Sequence, residues 1–187
     1  MLKTVTVFAA LAHPITAATI RISLGSFVFT PDTVTAAVGD ILEFSFFPVN
    51  NSATLSDFGT PCTPAKVGGF HSGFYATSSG QNETSFRVVV NTTEPMFIYC
   101  GNHPHCQNGM SAVVNPSDSQ TLEAYRLAAK EVDDTVVPES VFGGQLVAAS
   151  AGSPTPPASN SSGPKANGAV WVGLSGVGAF VAAVMML

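Results

Sequence analysis

The sequence predicts an all-β sandwich of about a hundred residues with one helix packed after it. Three observations carry that reading. Short runs rich in Phe, Val and Ile alternate like half-buried strands, turn residues punctuate them, and the period lengthens to three and four only beyond Pro116. Composition agrees: 13 Phe against 3 Tyr and 1 Trp, with 10% charged residues, describes a chain that buries aromatic faces. The net charge of −5 comes without a basic patch, which argues against nucleic acid as a partner.

The elements follow in order. RISLGSFVF (21–29) alternates and reads as a strand, Thr30-Pro31-Asp32 as a turn, and TVTAAV as a lead into a second turn at Gly39-Asp40. ILEFSFF (41–47) sets Ile41, Glu43, Ser45 and Phe47 on one face and Leu42, Phe44 and Phe46 on the other. Residues 48–80 are rich in Gly, Ser, Thr, Asn and Pro and read mostly as loop. TSFRVVV (84–90), MFIYC (96–100) and MSAVV (110–114) complete the strands. Leu122, Tyr125, Ala129 and Val132 then recur at helical spacing, predicting an amphipathic helix over 118–133 with a capping box at Ser117 and Gln120. Its role is packing, and Asp133 and Asp134 at its end read as solvated.

Both ends read as processing segments. Residues 1–18 carry Lys3, an apolar run too short to span a bilayer, Pro14 and small residues at Ala17 and Ala18, the pattern of a secretory signal peptide. His13 falls within it. The folded domain is expected over 19–146, and a Ser/Pro/Gly-rich linker over 147–168. An uncharged apolar tail occupies 169–187. Asn160, Ser161, Ser162 and Gly163 followed by a spacer and that tail match the signal for a GPI lipid, with a plain C-terminal membrane anchor as the alternative. The expected location is the outer face of the plasma membrane or the cell wall, with the membrane touched only through the lipid. N-glycosylation triplets begin at Asn50, Asn82, Asn91 and Asn160.

The chemistry concentrates in YCGNHPHCQNGM (99–110), which holds two of the three Cys and two of the four His. Outside the cell three Cys imply one disulfide and one remaining thiol, and Cys62 can pair with either Cys100 or Cys106. Cys100 closes a strand, His105 follows five residues on, and Met110 opens the next strand after five more. Thiolate, imidazole and thioether gathered at one hairpin suit copper, whereas structural zinc wants four Cys or His ligands. If Cys100 binds metal, Cys106 is left to join Cys62. Two blander readings remain: Met110 as a core residue and Cys100 as an inert buried thiol.

Cys100-x4-His105-Cys106-x2-Gly109-Met110 resembles the ligand loop of cupredoxins, in particular phytocyanin-like and fungal GPI-anchored plastocyanin-like proteins. VGDILEFSFFPVNNS (38–52), GGFHSGF (68–74) and PESVFGG (138–144) extend the resemblance over about residues 20–144. It implies a Greek-key two-sheet sandwich, one copper ion on Cys100, His105 and Met110, and a disulfide from Cys62 to Cys106. The family's first ligand, a His, falls where this chain has Asn51, which implies a weakened site. His103, otherwise an exposed loop residue, and His71, otherwise a surface residue, stand as possible substitutes. The expected function is a non-enzymatic copper protein with a redox or electron-transfer role. The alternative is a metal-free surface or cell-wall interaction module. A redox or cell-wall component is the expected class of partner.

Overall fold

The computed structural model describes residues 16–150. Eleven strands and one helix fill them in the order β1 (Thr19–Gly25), β2 (Val28–Thr30), β3 (Thr33–Val34), β4 (Ile41–Phe46), β5 (Asn50–Asn51), β6 (Thr54–Ser56), β7 (Tyr75–Ala76), β8 (Thr84–Val89), β9 (Met96–Tyr99), β10 (Ser111–Val114), α1 (Leu122–Ala129) and β11 (Gln145–Ala148). One sheet runs β11-β8-β4-β1-β2 and the other β3-β10-β9-β6, with β5 and β7 forming a small ribbon. The result is the expected two-sheet sandwich with one short helix.

Period-two alternation decides what lies between the sheets. Ile22 and Leu24 of β1, Leu42, Phe44 and Phe46 of β4, and Phe86 and Val88 of β8 meet Ile98, Ala112 and Val114 from the opposite sheet in one buried cluster. The face assigned to Glu43 is right, but its exposure is not what a solvent face implies. Glu43 is fully buried because its register neighbours Arg21 and Arg87 close over it. Their guanidiniums bond its two carboxylate oxygens separately, so the buried charge is compensated twice.

The run 21–29, expected as one strand, folds back on itself. Gly25 pairs with Val28 across a two-residue turn in which Ser26 and Phe27 have φ of 51° and 64°. Two successive positive φ values fit the right-handed twist of a hairpin, but they are unusual for a Phe.

The helix is shorter than the expected 118–133. Thr121 caps it, its hydroxyl accepting from Ala124 N–H at 3.1 Å, while Ser117 and Gln120 close a tight turn before it. At the far end Glu131 and Val132 donate to carbonyls three residues back, which tightens the last turn and leaves Asp133 and Asp134 exposed. Leu122, Tyr125 and Ala129 form the buried face as expected.

Two domain edges differ from the sequence reading. β11 pairs with β8 through Ala148, two residues beyond the expected boundary, because Leu146 and Val147 continue the ladder opposite Phe86 and Ser85. Ala18 is already tied in, donating to Asp40 Oδ1 and accepting from Ile41 N–H, each at 2.8 Å. The rest of the expected signal segment before Thr16, the expected linker beyond Ser150, Asn160, Ser161, Ser162, Gly163 and the residues expected as a tail lie outside the described residues. Among the described residues no helix is long and apolar enough to cross a membrane.

Candidate metal centre

β9 and β10 are antiparallel, and the loop joining them returns Met110 beside Cys100. Backbone bonds lace the loop: Cys100 N–H donates to Met110 O at 3.1 Å, and Met110 N–H to His105 O at 2.9 Å. His105 N–H reaches Asn102 O at 2.7 Å, and Gly109, at φ 89°, closes back on Cys106 O. Positive φ at that turn favours Gly. The three candidate ligands therefore share one rigid hairpin end.

Within it, His105 Nδ1 lies 3.4 Å from Cys100 Sγ. A metal ion bonded to one sulfur and one imidazole nitrogen at near-tetrahedral angles holds those atoms about 3.3–3.6 Å apart, so the pair already has the span a single ion requires. Asn51 comes from β5, a corner between the sheets, and its Oδ1 accepts from the Cys100 thiol at 3.8 Å. Asn51, Cys100 and Met110 are fully buried, and His105 is 5% exposed.

Burial governs the protonation of both groups. Burial pushes the Cys100 thiol up, opposed by hydrogen bonds from the Ser52 and Asn102 backbones and from the Ser52 side chain. Burial also lowers His105, which keeps its imidazole neutral and its lone pair free for a metal. Phe27 sets its ring edge-on to the His105 ring, with centroids 4.7 Å apart. The strained β1–β2 turn thus delivers a half-exposed aromatic cover to the imidazole, a feature not anticipated from the strand pattern.

The outer side of the loop is braced by packing. Cys62 and Cys106 form a disulfide with 5.7 Å between Cα atoms, the pairing implied by the resemblance. Tyr125 of the helix stacks on Phe97, bonds Ser56 Oγ at 2.6 Å and accepts from Cys62 N–H. Arg126 donates to Gly109 O at 2.9 Å and Ser111 O at 2.8 Å, holding both peptide neighbours of Met110. The helix is a support for the ligand loop. Sequence periodicity located it but did not reveal that task.

The two substitute histidines lie elsewhere. His103 is exposed in the loop, next to a cis peptide bond with Pro104. His71 is not on the surface. It is 2% exposed because its backbone bridges Thr54 and Phe142, and its Nδ1 bonds Thr54 Oγ1 at 2.7 Å. Thr54 is the register partner of Tyr99, whose side chain packs away from the main core, whereas Cys100, the next residue, packs into it. His71 therefore serves the opposite face of the sheet from the Cys100 sulfur. Of the glycosylation triplets, Asn91 is exposed and Asn82 partly so, while Asn50 leads into the buried pair Asn51 and Ser52.

No protein-family model matches the chain. Two curated proteins of Arthroderma benhamiae align with it. The "Extracellular serine-rich protein" is 33% identical over 128 residues, 68% of this chain and 50% of that protein. The "Probable GPI-anchored cupredoxin-1" is 32% identical over 133 residues, 71% of this chain and 66% of that protein. The chain therefore spans between half and two thirds of the length of these relatives. Among solved structures, reduced auracyanin from Roseiflexus castenholzii aligns with TM-score 0.40 and 13% identity, covering 52% of this chain and 95% of that one. With a two-sheet sandwich in place and a curated relative of that name at 32% identity, the chain belongs to the cupredoxin family.

Proposed function

We propose that this protein is a non-enzymatic cell-surface cupredoxin that holds one copper ion at Cys100, His105 and Met110 and exchanges single electrons with a redox partner. The observation that carries the reading is the 3.4 Å approach of Cys100 Sγ to His105 Nδ1 in a pocket closed to solvent. Bound copper would supply one-electron exchange. The chain's own residues do the rest. Cys100 and His105 present lone pairs at fixed separation, the disulfide and Arg126 hold the loop that carries them, and Phe27 keeps water from the imidazole. The name of the GPI-anchored relative and the signal expected at 160–163 support an outer-surface location through a lipid anchor. Release of the protein from cells by a phosphatidylinositol-specific phospholipase tests that location.

Asn51 favours a second reading, a metal-free surface or cell-wall module. Among the described residues no group of three or more His, Cys, Asp or Glu could hold a metal, since the other candidate donors here are Met110 and Asn51. Metal analysis after copper loading separates the two readings. The copper reading expects about one copper per chain, lost in Cys100→Ser, and an intense thiolate-to-copper band in Asn51→His with Cu(II). Absence of copper from both the native protein and Asn51→His leaves the metal-free module.

A further inference from the structure

The fold treats the asparagines of the glycosylation triplets differently. Asn82 is spent on a turn, its Oδ1 accepting from Thr84 N–H at 2.9 Å. Asn91 is exposed just past the end of β8 and lines an open depression of about 370 Å³. That volume lies within the range of small-ligand sites.

The depression has a backbone cause. β11 begins its pairing with Gln145 opposite Arg87, so Val88 and Val89 of β8 have no strand on that side among the described residues. The two residues before Gln145 bring no side chain to fill the gap. A Cβ on Gly144 would collide with the Phe86 ring and the Arg87 carbonyl, and one on Gly143, at φ 71°, with the Gly69 carbonyl.

The lining is of two kinds. Ile41 and Val89 are register partners on the outer face of the sheet, and Val89 is 52% exposed. The other pairs that β4 and β8 place on that face are polar, Glu43 with Arg87 and Ser45 with Ser85. Arg87 gives Nε and Nη2 to Glu43, which leaves its Nη1 hydrogens and the exposed Gln145 amide as donors at the rim. An apolar patch edged by donors matches a pyranose, which carries C–H groups on its face and oxygens around its edge. A sugar linked to Asn91 is tethered beside this patch and meets it without the cost of free association.

We propose that Asn91 carries an N-linked glycan whose first N-acetylglucosamine packs over Ile41 and Val89 and covers the unpaired end of β8. In forming it, Asn91 Nδ2 loses a proton and bonds the sugar's anomeric carbon. The bond from that carbon to the diphosphate of a lipid-linked oligosaccharide donor breaks, and the lipid diphosphate leaves with the electron pair. The glycan shields a strand edge that would otherwise invite pairing with another chain. The inference rests on the outer-surface location proposed above and is independent of copper.

The test uses the full-length protein made in a yeast host and collected from the cell surface. Enzymatic removal of N-glycans turns each carrier Asn into Asp, which peptide mass spectrometry reads. Asn91 should be converted in most chains. Thr93→Ala removes the triplet and leaves Asn91 in place, and it should lower the folding equilibrium constant about three- to tenfold in urea unfolding. The same substitution in glycan-free protein from a bacterial host should leave the midpoint unchanged. Val89→Thr keeps the side-chain shape but replaces a methyl by a hydroxyl, and in that background the loss on Thr93→Ala should fall below about twofold. Surface protein with Asn91 unmodified overturns the inference and leaves the location reading intact. So does an equal Thr93→Ala loss without glycans, or an undiminished loss beside Val89→Thr. Protein held inside the cell with no triplet converted removes the location reading and the inference together.

Discussion

The candidate centre has two sides built on different plans. The hairpin loop 100–110 supplies three potential donors and is held by its own backbone, by the Cys62–Cys106 disulfide and by Arg126 of the helix. The corner 48–52 supplies only Asn51, which is held by carbonyls of two other segments. The loop keeps every soft donor. The corner keeps its shape and its burial while offering a different atom. Geometry at such a site is thus retained by backbone bonding and packing, and the chemical preference is set by the one donor type that differs.

The disulfide is the strongest external hold on the loop, so removing it is the most severe way to break this comparison. It closes a segment with a sequence separation of 44 residues, and the chain-entropy estimate for a loop of that size is about 4 kcal/mol. Cys62→Ala with Cys106→Ala should lower the unfolding free energy by about that much, measured by urea denaturation. The copper stoichiometry of the double variant should fall at temperatures where the native protein stays loaded. A loss under about 1 kcal/mol would mean that the helix and the backbone lacing hold the loop without the disulfide.

The seam between the two sides is sharper to test. Ser52 Oγ accepts from Gly101 N–H at 2.9 Å, and Asn102 Nδ2 donates to Asn50 O at 3.0 Å, so corner and loop are sewn together beside Cys100. Ser52→Ala leaves a buried N–H without its partner, which costs about 1–3 kcal/mol. It also removes the one side-chain bond that helps hold the Cys100 thiol down, while the Ser52 and Asn102 backbone bonds stay, so the thiol should become a weaker acid than in the native protein. Thiol titration with a reactive disulfide checks this. An unchanged titration would show that Ser52 supports the backbone alone.

What was legible in the sequence follows the range of the bonds involved. The ligand loop lies within eleven residues of one hairpin, so spacing alone placed Cys100, His105 and Met110 together. The strand faces were legible for the same local reason. Glu43 was harder, since its burial depends on Arg21 and Arg87, 22 and 44 residues away. The Asn51 orientation depends on Leu24 O, 27 residues away, which no local pattern reports. His71 misled because its Gly-rich surroundings read as a surface turn, whereas backbone pairing to Thr54 and Phe142 draws it inside. The capping box at Ser117 and Gln120 was outcompeted by Thr121, whose hydroxyl reaches Ala124 N–H.

His71 also supplies the smallest test, and it separates a histidine that serves the fold from one that serves the site. Burial lowers both His71 and His105 from the ordinary value of 6.5. A folded-state histidine with a lowered pKa takes up a proton less readily than the same residue in the unfolded chain. Its contribution to stability is therefore complete above about pH 6.5 and is lost as pH falls through that value toward the folded pKa. Each such group adds a slope of at most about 1.4 kcal/mol per pH unit in that window. The copper-free protein should thus lose stability between pH 7 and pH 5, read from urea midpoints. His71→Gln retains a side chain able to bond Thr54 Oγ1 but cannot take up the proton, so its profile should be shallower while any copper stoichiometry after loading stays at the native level. A profile as steep as the native one would show that His71 is protonated in the fold as easily as in the unfolded chain. A fall in copper stoichiometry would show that the face of the sheet carrying Thr54 and Tyr99 is coupled to the site after all.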